Sequence, residues 1–174
     1  RRRHTRYGTV TGVQTCALPI WDLAARNILV ASEDLVKITD FGLARQPQGK
    51  DYYIMSSPGT IPVRWLALES LTQSKFHKPS DVWSFGVVLW EMFSYGETPY
   101  LESCEDYFNT EDRTTAHMKS WMEKLNDGVR YPKTTDCPSH LYALMLQCWN
   151  HDVLKRPTFE ALGTMLWEVE KQVT

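Results

Sequence analysis

Residues 80–93, SDVWSFGVVLWEMF, carry Val82, Trp83, Phe85, Val87, Val88, Leu89, Trp90, Met92 and Phe93, so a helix drawn through them is apolar nearly all round. A helix with one polar face lies on a surface, whereas a helix without one has to be enclosed by other elements. This stretch therefore demands a helical domain able to wrap it, with Ser80 as the expected N-cap. The rest of the chain supplies the wrapping. Met118, Trp121, Met122 and Leu125 recur at helical spacing before a stop at Gly128, and Leu141, Leu144, Met145, Cys148 and Trp149 repeat the pattern. Thr158 opens a last helix whose expected buried face is Phe159, Leu162, Leu166 and Val169, and Trp65–Leu71 is a shorter candidate. The Met and Trp residues of these helices are read as core.

Strand signals are confined to the front of this region. Ile28–Val30 and Leu35–Ile38 are β-prone runs separated by Ala-Ser-Glu-Asp, which predicts a small hairpin. From Phe41 to Pro62 the chain reads as loop. The expected class is α+β, mainly helical, with one short hairpin.

At 174 residues, 43% apolar and 23% charged, the chain can bury a real core. A net charge of −2, from 19 basic and 21 acidic residues, gives no footprint for nucleic acid. No apolar run approaches the eighteen or so residues of a membrane span. Cys16, Cys104, Cys137 and Cys148 lack the spacing of a zinc or redox motif and read as reduced thiols. The expected class is soluble and intracellular.

The opening RRRHTRYGTVTGVQTCALPI differs in character: basic, then rich in Thr, Gly and Val, without helical or strand period. A targeting peptide is disfavoured because Gly12, Gln14 and Pro19 break the apolar stretch and no cleavage site follows. The string resembles translated adapter sequence. Residues 1–21 are therefore expected to be foreign, and residues 22–173 to form the domain.

The chemical signal is Asp22-Leu-Ala-Ala-Arg26-Asn27 followed, after the hairpin, by Asp40-Phe41-Gly42. Phosphoryl transfer asks for metal, positioning and a group that orients the attacking hydroxyl. A carboxylate at Asp22 can accept the hydroxyl proton, and an amide oxygen at Asn27 with a carboxylate at Asp40 suits Mg²⁺. The hairpin returns the chain so that Asp40 can reach the face carrying Asn27.

Together these motifs resemble the catalytic and metal loops of protein kinases. Ala67-Leu68-Glu69, Asp81-Val-Trp-Ser-Phe-Gly86, Cys148-Trp149 and Arg156-Pro157 extend the resemblance to about Val173. It implies a protein-kinase-like fold of which residues 22–173 are the C-terminal lobe, the N-terminal lobe being missing. It further implies ATP and Mg²⁺ as cofactors, Leu29 as the floor under adenine, a buried structural ion pair between Glu69 and Arg156, and Asp81 bonded to the catalytic-loop backbone. Ala24-Ala25-Arg26 and Pro62-Val63-Arg64-Trp65 are similar to tyrosine kinases, where the proline packs on the substrate phenol.

Tyr52-Tyr53 resembles the tandem autophosphorylation site of Janus kinases, where phosphate orders the loop. The Ser57–Pro62 stretch, the Leu71–Phe76 segment, the long acidic interval between Tyr100 and Met118, and an end just after the last helix are similar to the same family. Gly96–Tyr100 and Ala67-Leu68-Glu69 are equally at home in receptor tyrosine kinases. The Janus resemblance implies protein tyrosine substrates, cytokine-receptor tails as partners through other domains, and a cytoplasmic enzyme peripheral to the plasma membrane through its receptor.

One departure stands out. Ile20 and Trp21 occupy the places of His-Arg, and no Gly-rich phosphate loop, paired lysine or hinge precedes Asp22 in this sequence. A pseudokinase scaffold and a truncated reading of an active kinase both account for this. Intact Asp22, Arg26, Asn27 and Asp40 favour the second, with the chain as written inactive.

Overall fold

In a computed structural model of the chain, residues 22–33, 35–40, 52–54, 62–99 and 115–173 are described. The expectations that fall on residues 1–21, on Phe41 and Gly42, on Ser57–Ile61 and on most of the acidic interval lie outside them.

A 3₁₀ turn at Ala25–Asn27 leads into strand β1 (Ile28–Ser32), which pairs antiparallel with β2 (Leu35–Ile38). The register sets Ile28 against Ile38 and Val30 against Val36, with a bulge between Val30 and Ser32. A second small sheet joins β3 (Tyr53–Ile54) to β4 (Lys75–Phe76). Between them lie a 3₁₀ turn at Val63–Trp65 and helix α1 (Leu68–Gln73). The single helix expected over Trp65–Leu71 is thus two elements, because Ala67 is extended and serves as the N-cap of α1.

Helix α2 (Lys78–Phe93) is the axis of the fold. Val82, Trp83, Val87, Val88, Leu89 and Trp90 are all buried, as an apolar helix requires. Its cap differs from expectation. His77, not Ser80, is the N-cap: its Nδ1 accepts from Ser80 N at 3.1 Å, and Ser80 sits at the third helical position to return the bond. An imidazole can accept a backbone N–H just as a hydroxyl can, while Pro79 is tolerated in the first turn because that N–H would be unpaired anyway.

Helices α3 (Thr115–Asn126), α4 (Ser139–Cys148) and α5 (Phe159–Val173) follow, with a 3₁₀ turn at Val153–Lys155 before the last. Gly128, at φ +88, lets the chain leave α3 while Val129 N bonds back to Lys124 O at 2.9 Å. The end of α4 packs tightly on α2 at Gly86, where a Cβ would lie 2.7 Å from Trp149 Nε1 and 2.8 Å from Cys148 Cβ. Trp83, Trp90, Trp121, Tyr131 and Trp149 fill the centre, Tyr131 touching three of these rings. Burial pushes the Cys148 thiol up to about 12, which suits an inert core residue. Leu162 is buried as expected in α5, but Phe159 is 41% exposed and meets Phe85 edge-on.

Candidate active site

Leu23 and Ala24 are buried, and they hold the segment that precedes the first 3₁₀ turn against the core. That anchoring lets the two ends of the segment meet. Asn27 Nδ2 donates to Asp22 Oδ2 and to Asp22 O, both at 2.9 Å, and Arg26 Nη2 donates to Asp22 Oδ1. Each carboxylate oxygen of Asp22 is therefore held by a different donor. Both hydrogen bonds of the Asn27 side chain among the described residues use Nδ2, so its Oδ1, a hard oxygen, is left over.

The hairpin carries the chain away and back. Thr39 closes it by donating N–H and Oγ1–H to Asn27 O at 2.8 and 3.1 Å. Asp40, the next residue, is exposed with φ +58. A non-glycine residue in this region is strained, and such strain concentrates at functional positions. Leu29 lies on β1 and is 51% exposed, outside the cluster formed by Asp22, Arg26 and Asn27.

A second group of residues forms a platform beside Arg26. Pro62 O accepts from Trp65 N at 2.9 Å, closing the 3₁₀ turn. The turn is bolted to the core by Ser84 Oγ donating to Trp65 O at 2.7 Å and by Tyr131 OH donating to Arg64 O. The Arg26 guanidinium lies over the Trp65 ring, 4.6 Å from its centroid. Trp65 Nε1 and Ala25 N both donate to Glu91 Oε2, each at 2.9 Å.

Glu69 and Arg156, 87 residues apart in sequence, meet in a buried two-pronged pair, with Nη1–Oε1 at 2.7 Å and Nη2–Oε2 at 2.9 Å. Burial alone would raise Glu69, but the Arg156 bonds and charge outweigh it and hold the carboxyl below its usual range. Asp81 is buried in the first turn of α2. In the β3–β4 sheet, Tyr53 packs against Leu66 and Phe76, and Lys75 Nζ stands 4.3 Å from the centroid of the Tyr52 ring.

The structure thus brings Asp22, Arg26 and Asn27 into contact and fastens the segment before Asp40 to them. It keeps Glu69, Arg156 and Asp81 in the supporting core. A family model described as protein tyrosine and serine/threonine kinase matches residues 21–166. The chain belongs to that kinase family. The tyrosine-protein kinase JAK3 of Rattus norvegicus is 45% identical over 147 residues, covering 83% of this chain and 13% of that protein. The chain is thus similar to a Janus-type tyrosine kinase, and it spans about 13% of the length of that relative.

Several residues that shape this candidate site were not found by motif. Glu91, Ser84 and Tyr131 hold the platform, and His77 caps α2. The one signal for Glu91 was an acid among the apolar residues of the second half of α2. Among the described residues no group of three or more His, Cys, Asp or Glu gathers to form a metal cage. Magnesium does not need one, since it keeps several waters and takes one or two protein oxygens beside phosphate. The leftover Asn27 Oδ1 and the Asp40 carboxylate are oxygens of that kind. No helix among the described residues is long and apolar enough to cross a membrane.

Proposed function

We propose that this kinase domain, within an intact enzyme, transfers the γ-phosphate of ATP to the hydroxyl of protein tyrosine. The observation that carries the reading is Arg26, which grips Asp22 and lies on Trp65, joining the proton acceptor to the acceptor platform. With one oxygen on Arg26 and the other on Asn27, the carboxylate of Asp22 is fixed in direction. It takes the phenol proton as the new O–P bond forms and ADP departs. Pro62 supports the phenol ring beside it.

Bound magnesium would neutralise charge on the phosphates. Asn27 Oδ1 and Asp40 would hold it, the backbone bond from Thr39 to Asn27 keeping their two segments in register. Leu29 would lie under adenine, its exposed face available to the base. Phosphate on Tyr52 and Tyr53 would order the loop that carries them. Similarity to a Janus kinase supports a cytoplasmic enzyme acting in cytokine-receptor signalling, with receptor tails reached through other domains.

The test grafts residues 22–173 beneath a Janus-type N-terminal lobe with His-Arg in place of Ile20 and Trp21. The chimera should phosphorylate tyrosine peptides with Mg²⁺-ATP. Asp40→Asn should abolish turnover, and Asp22→Asn should lower it by about 10²–10⁴. A folded chimera that binds ATP yet transfers nothing would replace this reading with that of a pseudokinase scaffold.

A further inference from the structure

We infer that Glu91 is a positioning residue which joins the catalytic loop to the acceptor platform and so sets the direction of Asp22. The inference deepens the proposed function and rests on it for its catalytic meaning.

Glu91 lies near the end of α2 and is buried. A buried carboxylate is costly unless it is bonded, and here a single oxygen, Oε2, accepts from two donors belonging to two different segments. Ala25 N opens the turn that presents Arg26 and Asn27. Trp65 Nε1 belongs to the platform turn, 40 residues further along the chain. The two donors are joined again on their far side. Arg26 follows Ala25, and its guanidinium lies on the face of the Trp65 ring at 4.6 Å.

The result is a closed circuit: Glu91 to Ala25 by a hydrogen bond, Ala25 to Arg26 along the chain, Arg26 to Trp65 by cation–π contact, and Trp65 to Glu91 by a hydrogen bond. The bond from Glu91 fixes the plane of the indole. The indole plane fixes the guanidinium laid on it, and the guanidinium holds Asp22 Oδ1. Glu91 thereby acts on Asp22 through two intervening groups without touching it. A carboxylate that only filled space in the helix would need neither donor, and one that only capped the first turn would need only Ala25.

Because both donors use one oxygen, the circuit needs an acceptor rather than a charge. Glu91→Gln keeps a carbonyl oxygen in that place, and Glu91→Leu keeps the volume without an acceptor. The experiment measures amide hydrogen exchange and the indole and Arg side-chain signals by NMR on the whole 174-residue chain. In Glu91→Leu, Ala25 should exchange about ten-fold faster, as expected for loss of a hydrogen bond to a charged group. The Trp65 indole and Arg26 side-chain signals should move, and amides of α4 such as Met145 should stay as they were. Glu91→Gln should restore all three.

Trp65→Phe provides the second arm, since it removes one donor and leaves Glu91 in place. It should shift the Arg26 signal and speed exchange at Ala25. Unchanged Ala25 and Arg26 in Trp65→Phe overturn the circuit even if Glu91→Leu does not fold. Equal acceleration at Ala25 and in α4 in Glu91→Leu, unrelieved in Glu91→Gln, reduces Glu91 to a general core residue. None of these readouts needs phosphoryl transfer, so failure of the kinase reading is seen separately, in the chimera.

Discussion

Asp22 and Arg26 meet at the edge of the molecule with side chains 14% and 43% exposed, whereas Glu69 and Arg156 meet inside it at 10% and 0%. Both pairs join a carboxylate to a guanidinium, and the carboxylates are similarly covered; the difference lies with the arginines. Arg156 has every face occupied: two prongs on Glu69, Nη1 also on Pro79 O, Nε on Asn150 O, and the guanidinium 5.1 Å from the centroid of Trp83. Glu69 accepts a further bond from Ser80 Oγ at 3.0 Å. Such a pair ties α1, α2 and the segment before α5 into one unit. The pair of Asp22 and Arg26 has one prong, with the arginine side chain partly in water, and costs little to rearrange. Burial makes an ion pair a fastener, and partial exposure leaves it in contact with water.

Removing one partner of the buried pair should give the largest effect. Arg156→Met leaves the Glu69 carboxylate buried without its counter-charge, and a loss of about 3–5 kcal/mol is expected in urea unfolding. Replacing both, Glu69→Leu with Arg156→Met, should recover much of that loss, because no charge then remains to desolvate. A double variant as unstable as the single one would show that the fastening lies in the other Arg156 bonds.

The surroundings of the buried pair also respond to acid. Burial holds His77 below its usual value, with Arg156 and Lys75 pushing the same way and the Glu69 carboxylate, 3.9 Å away, pulling back. The folded state therefore takes up a proton on His77 less readily than the unfolded chain. This contribution is complete above the unfolded value of about 6.5 and is lost as pH falls through the lower folded value. Protonation also removes the Nδ1 acceptor that caps α2, a bond worth about 1 kcal/mol. Glu69 is held low as well, so its share is lost in the same direction at still lower pH. His77→Asn keeps an acceptor without a titration. It should match the parent chain at pH 8 and lose less stability between pH 7 and 5. Identical pH profiles would place the acid sensitivity elsewhere.

How much of this could be read beforehand follows the same division. The hairpin that returns the chain from Asn27 toward Asp40 was legible because its strand pattern is local. The enclosure of α2 was legible because a helix apolar nearly all round has to be wrapped by other elements. Glu69 and Arg156 were joined only through resemblance, since no local pattern relates residues so far apart. Glu91 was invisible for another reason. One acid on a buried helix says that a donor must be near, but which donors arrive is decided by tertiary packing. His77 was missed because a hydroxyl three residues on offered the commoner cap, and the trade between the two is visible only in backbone angles.

The smallest change in stability should come from the exposed pair, and there the contrast becomes sharpest. Arg26→Ala removes one charge-assisted bond to Asp22 and the contact with Trp65, both partly in water. Exposed pairs contribute at most about 1 kcal/mol, so unfolding should shift by no more than that. In the chimera, turnover on tyrosine peptides should nevertheless fall by about 100-fold, the scale on which misplacing a catalytic group acts. Asp22 would keep its Asn27 bond but lose the one that ties it to the platform. Arg26→Lys should rescue part of the bond to Asp22 and little of the stacking, because an ammonium lacks the flat face of a guanidinium. Turnover unchanged in Arg26→Ala would mean that Asn27 alone orients Asp22. Stability lost on the scale of Arg156→Met would mean that the two pairs do the same work, and that exposure does not separate them.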